Sequence, residues 1–68
     1  MQVGEAARRA GLTVKTVRYY ANIGMVIPRQ DETSGYRIYG EDDVAKLQFV
    51  GKARRVDFSV SECRELLG

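Results

Sequence analysis

With 68 residues and 7.6 kDa, the chain has apolar surface for one small core and no second. Its 44% hydrophobic and 29% charged content place it among folding globular domains rather than disordered segments. One cysteine and no histidine exclude a disulfide and leave no donor set for a zinc or copper site, so a reduced cytosolic setting fits and no metal or other cofactor is expected. The opening MQVGEAARRAG lacks the apolar h-region of a secretion signal, and no apolar run approaches membrane-spanning length.

Net charge is +2, a weak pointer by itself, but its distribution is uneven. Residues 1–30 carry Arg8, Arg9, Lys15, Arg18 and Arg29 against the single acid Glu5, while Asp31-Glu32 and Glu41-Asp42-Asp43 gather the acids later. On charge alone a mixed solvated surface explains this better than a basic face does.

In chain order, Val3, Ala6, Ala7 and Ala10 follow helical spacing and predict a helix over 3–10, ended by Gly11. Leu12 supplies an apolar plug, and Thr13 is a good N-cap for a second helix from Val14 to about Ile23. Two helices joined by a short glycine-containing turn outline a helix-turn-helix. The second helix sorts into two stripes: Val17, Tyr20, Ala21 and Gly24 on one side, Lys15, Arg18, Tyr19 and Asn22 on the other. A stripe of cation, phenol and amide donors without an acid suits a DNA groove better than a merely solvated face does.

Gly24 closes this helix and Pro28 bars its continuation. Met25-Val26-Ile27 is expected as an extended segment paired, across the polar turn 29–35, with the alternating Tyr36-Arg37-Ile38-Tyr39. Such a hairpin beside a helix-turn-helix is a wing, on which Arg29, Tyr36 and Arg37 can reach phosphates. A third helix over 41–55 has acids in its first turn and Lys52, Arg54 and Arg55 in its last, as its dipole favours. Val44, Leu47, Phe49, Val50, Ala53 and Val56 give it a broad apolar side expected to pack against all the other helices. Ser59-Val60-Ser61-Glu62 is a capping box, with Phe58 and Cys63 spaced as a hydrophobic staple, so a fourth helix begins at Val60. Cys63 reads as a small core residue. Leu66 and Leu67, little used at the chain end, suggest an apolar face continuing to a partner and a chain that is a fragment. The fold expected is mainly α, a winged helix-turn-helix of about four helices with a small β-hairpin, forming one domain over 1–68.

Taken together, GEAARRAGLT, VRYY, GYRIY and KARRVDFSVSEC, in this order and spacing, resemble the N-terminal DNA-binding domain of the MerR family of bacterial transcription regulators, leaning to its copper- and heavy-metal-responsive branch. The resemblance covers almost the whole chain. It implies that Lys15, Thr16, Arg18 and Tyr19 lie in or beside the major groove and that Tyr20 reaches a phosphate. It further implies that Tyr36 and Arg37 in the wing, and Arg54 near a second wing between the third and fourth helices, hold the flanking backbone. Asp57 departs from the glycine usual in the family. The family's long dimerisation helix and effector segment are not found among these residues. The implied partners are double-stranded promoter DNA, a second copy in the full-length protein and RNA polymerase indirectly; this chain alone is expected to be a monomer. The implied mechanism is effector-driven promoter distortion, activating transcription. A free-standing excisionase-like DNA-bending protein and a protein-interaction module stay open as alternatives. An enzyme is not expected, for want of histidine, a carboxylate pair or a phosphate loop.

Overall fold

A computed structural model describes all residues, Met1–Gly68. In chain order it forms α1 (Val3–Ala10), α2 (Val14–Asn22), β1 (Arg29–Gln30), β2 (Arg37–Ile38), α3 (Glu41–Arg55) and α4 (Val60–Leu67). Ala6 and Ala7 of α1, Val17 and Tyr20 of α2, Val44, Leu47, Val50 and Ala53 of α3, and Cys63 of α4 meet in one core with Met25, Val26 and Tyr39. The expected helices and the mainly helical winged architecture are present.

Each helix starts and stops for a local reason. Thr13 caps α2 by accepting the Thr16 N–H at 3.1 Å. Asp43 caps α3 from inside, accepting the Gly40 N–H at 2.8 Å. The Ser59–Glu62 capping box forms reciprocally, at 3.1 and 2.8 Å, and holds the Glu62 carboxyl below its usual range. After α1, left-handed Gly11 (φ 72°) lets the N–H groups of Gly11 and Leu12 close on the carbonyls of Arg8 and Ala7.

Three expectations change. Met25-Val26-Ile27 is not a strand: the Met25 and Val26 N–H groups both close on the Tyr20 carbonyl, folding the segment over the end of α2 with Met25 and Val26 in the core. The two-stranded antiparallel ladder starts only after Pro28, pairing Arg29 with Ile38 and Gln30 with Arg37. Second, α3 packs chiefly on α1 and α4, while α2 leans mainly on α1. Phe49 and Val56 therefore stay outside, Val56 at 65% exposure. Third, the chain end is not idle, because Leu67 packs partly against the core while Leu66 remains exposed. Cys63 is fully buried. No helix is long and apolar enough to cross a membrane.

Candidate nucleic-acid interface

The short α2 turns Val17, Tyr20 and Ala21 inward, so residues displaced by about half a turn must face out. Lys15, Arg18, Tyr19 and Asn22 are exposed, and α2 carries no acid in its first turn. No carboxylate forms a salt bridge with Lys15, Arg18, Arg29 or Arg37, whereas Arg8 and Arg9 are bound by acids. Glu5 accepts from Arg8 at 2.6 Å and Arg9 at 2.9 Å, and Arg9 also reaches Glu41 at 2.8 Å. These guanidiniums, Arg8 foremost, hold the Glu5 carboxyl down at about 2. Pairing thus consumes the charge of α1 and leaves that of α2 and the hairpin available, which the bare charge count along the chain does not reveal.

The hairpin tip is arranged around Asp31. Its carboxylate accepts from the Ser34 hydroxyl at 2.7 Å and from the Thr33 and Ser34 N–H groups, and these bonds, Ser34's first, hold its carboxyl below the usual range. The Asp31 N–H bonds to the Tyr36 carbonyl at 2.8 Å, and Gly35 turns the chain with φ 76°. Asp31 is therefore spent on shaping the turn, while its neighbour Glu32 stays exposed. Arg29 and Arg37, on the two strands, and Tyr36, just before the second, are exposed.

Tertiary structure then joins helix and wing. Arg18 from α2, Tyr36, Arg37 and Tyr39 from the second arm of the hairpin, and Gln2 and Val3 at the start of α1 line one cleft of about 300 Å³. Tyr39 is held there by backbone bonds, its N–H on the Met1 carbonyl and its own carbonyl accepting from the Met1 amine, both at 2.6 Å. The cleft presents guanidinium, amide and phenol groups, a donor-rich surface of the kind that binds phosphate oxygens.

Of the residues singled out from sequence, Lys15, Arg18, Tyr19, Arg29, Tyr36 and Arg37 are thus exposed on α2 and the hairpin. Thr16 is half-buried, and its hydroxyl accepts from Thr13 at 2.9 Å as part of the helix cap. Tyr20 is corrected: at 6% exposure it lies in the core, tilted against Tyr19 with ring centroids 5.6 Å apart, so packing occupies the ring expected at a phosphate. Arg54 is exposed, but its Nη1 donates to the Phe58 carbonyl at 2.8 Å and braces the α3–α4 turn, away from the α2–wing cleft. Gln2 and Tyr39 are the lining residues the sequence argument passed over. For Tyr39 the signal existed, since strand alternation sets it on the same face as Arg37; Gln2, just before a helix, carries none.

No three His, Cys, Asp or Glu side chains come together as a metal site, and the lone thiol of Cys63 is sealed in the core.

The whole of residues 1–68 matches a family model described as MerR HTH family regulatory protein. Among characterised relatives, the HTH-type transcriptional regulator HmrR of Rhizobium leguminosarum bv. viciae is 49% identical, over 98% of this chain and 51% of its own length. Heavy metal-dependent transcription regulator 2 of Rhizobium meliloti is 45% identical over 98% of this chain and 46% of its own. The crystal structure of transcription regulator PbrR691 from Ralstonia metallidurans CH34, in complex with lead(II), superposes with a TM-score of 0.88 at 31% identity, covering 98% of this chain and 52% of that one. The chain thus spans about half the length of the relatives it matches.

Proposed function

The chain belongs to the MerR helix-turn-helix family of regulators, and from that premise we propose that it grips promoter DNA through the outer face of α2 and the adjoining hairpin. The observation that carries this is the convergence of Arg18, Tyr36 and Arg37 on one cleft, with no carboxylate bridged to either arginine. Lys15, Arg18 and Tyr19, with Thr16 at their edge, enter or border the major groove, where a guanidinium can take guanine O6 and N7 together. Arg29, Tyr36 and Arg37 hold phosphates beside it. Arg54 adds a backbone contact on the far side only with the donors its bond to Phe58 leaves free.

Such a domain reads half a site. In the whole protein, two copies would set their α2 helices in successive major grooves about 34 Å apart. Contacts on both sides would offset the cost of bending and untwisting the promoter, presenting it to RNA polymerase and activating transcription. Domain 1–68 is then the gripping half of a cytoplasmic, effector-responsive dimer, and by itself a monomer. A relative named as heavy metal-dependent supports a metal as the effector. Residues 1–68 do not fit a metal, as Cys63 is buried and no donor cluster exists, so the sensing step lies outside this domain.

The test is a fluorescence titration of the chain with a duplex of about 20 base pairs, two helical turns, selected on the wild type, against a scrambled duplex. Arg18→Ala should cut the preference for the selected duplex by about tenfold or more, a loss of roughly 1–3 kcal/mol. Arg37→Ala should weaken both duplexes alike and reduce the salt slope by about 0.9. Unchanged discrimination in Arg18→Ala would remove base reading from α2.

A further inference from the structure

One buried side-chain oxygen lacks a hydrogen-bond partner. The Tyr39 hydroxyl is buried and bonded to nothing, in a residue only 1% exposed. A buried hydroxyl without a hydrogen bond is costly, and native proteins rarely keep one without a use. Fold stability does not explain the oxygen: the ring belongs to the one hydrophobic core, and phenylalanine would fill the same space. Its location is more telling, since Tyr39 lines the cleft whose other walls carry Arg18, Arg37 and the Gln2 amide. Charges of Arg37 and Arg18 reach the phenol, as does the opposing charge of Asp43, while burial, the largest influence, pushes it up. It therefore stays protonated, a donor, at any ordinary pH.

Resting on the DNA-binding reading above, we propose that Tyr39 is a positioning residue whose hydroxyl gains its partner only when a DNA backbone phosphate enters the cleft between α2 and the wing. The exposed Arg18 and Arg37 side chains, tied to no carboxylate, turn toward the phosphate and uncover the phenol beneath. The hydroxyl then donates to a phosphate oxygen, directly or through one trapped water. Because β2 carries Arg37 and leads into Tyr39, the same bond fixes the wing against the recognition helix at the moment of docking.

The consequence is an unusual pair of signs. Tyr39→Phe removes a liability of the free protein and a contact of the complex, so its thermal midpoint should stay level or rise while its DNA affinity falls by about tenfold, near 1.4 kcal/mol. The salt slope should not move, since a neutral phenol releases no counterion. Replacing backbone phosphates by methylphosphonate one at a time along the selected duplex should reveal a single position at which Tyr39→Phe and wild type bind equally. Equal affinities on the unmodified duplex would overturn the role of Tyr39, and so would a loss of affinity that no single neutralised phosphate abolishes or that tracks a fall in thermal midpoint. A wild-type chain that does not prefer the selected duplex, or an Arg18→Ala variant that discriminates as well as wild type, would instead strike the DNA-binding reading itself, so the Arg18→Ala titration tells the two failures apart.

Discussion

The chain passes from one helix to the next twice by the same backbone device, once with glycine and once without. After α1, the Gly11 and Leu12 N–H groups close on the carbonyls of Arg8 and Ala7; after α3, those of Asp57 and Phe58 close on Arg54 and Ala53. The residue at the pivot is left-handed in both, φ 72° at Gly11 and 68° at Asp57. The first turn sets α2 against α1 and the second sets α4 against α3. The pivot conformation is thus demanded by the hydrogen bonds, and the residue type only sets what it costs. Asp57 is the position at which the family resemblance implies glycine, and the structure gives the reason: the turn tolerates a short polar side chain in the left-handed region at the expense of strain.

The two turns are also braced differently. Gln48 on α3 donates to the Arg9 carbonyl at 3.2 Å, steadying the first from another helix, and Leu12 fills the space over Gly51. Arg54 steadies the second from its own helix.

The comparison is broken most severely by Gly11→Val. Nothing lies within 4 Å of the Cβ it would add, so the backbone angle alone opposes it. A β-branched residue at that angle should cost about 2 kcal/mol, lowering the melting midpoint by about 10 °C. Reciprocal exchanges sharpen the point: Gly11→Asp should lose about 1 kcal/mol and Asp57→Gly should gain about the same. If denaturant titration shows neither change, the left-handed angle is not what separates the turns. Removing the second brace, in Arg54→Ala, should cost only about 0.5 kcal/mol in the same titration because the bond is solvent-exposed.

The smallest effect concerns the acid that holds the first turn's arginines. With a folded-state carboxyl lowered from 4.5 to about 2, Glu5 contributes stability above its unfolded pKa, and that contribution fades as pH falls through about 2. Melting curves of wild type and Glu5→Gln should therefore differ slightly above pH 4.5 and converge toward pH 2; a difference that persists at the acid end would show that the pairing with Arg8 and Arg9 is not its source.

Local pattern was enough to find the helices. Apolar spacing placed α1 and α3, Thr13 and the Ser59–Glu62 box marked two helix starts, and Gly11 marked a stop, because each of these signals acts within one turn of backbone. The same helical period identified the outward stripe of α2. What the sequence by itself determined is therefore the set of elements and the donors each could offer. Tertiary structure decided which donors stayed available: carboxylates from α1 and α3 claimed Arg8 and Arg9, the core claimed Tyr20, and the turn at Phe58 claimed one arm of Arg54. It also folded Met25 and Val26 over the end of α2 instead of into a strand, because carbonyl and core partners for them exist only once the helices meet. Pairing, burial and the cleft that joins Arg18, Arg37 and Tyr39 depend on residues far apart in the chain, and no local period encodes such distances.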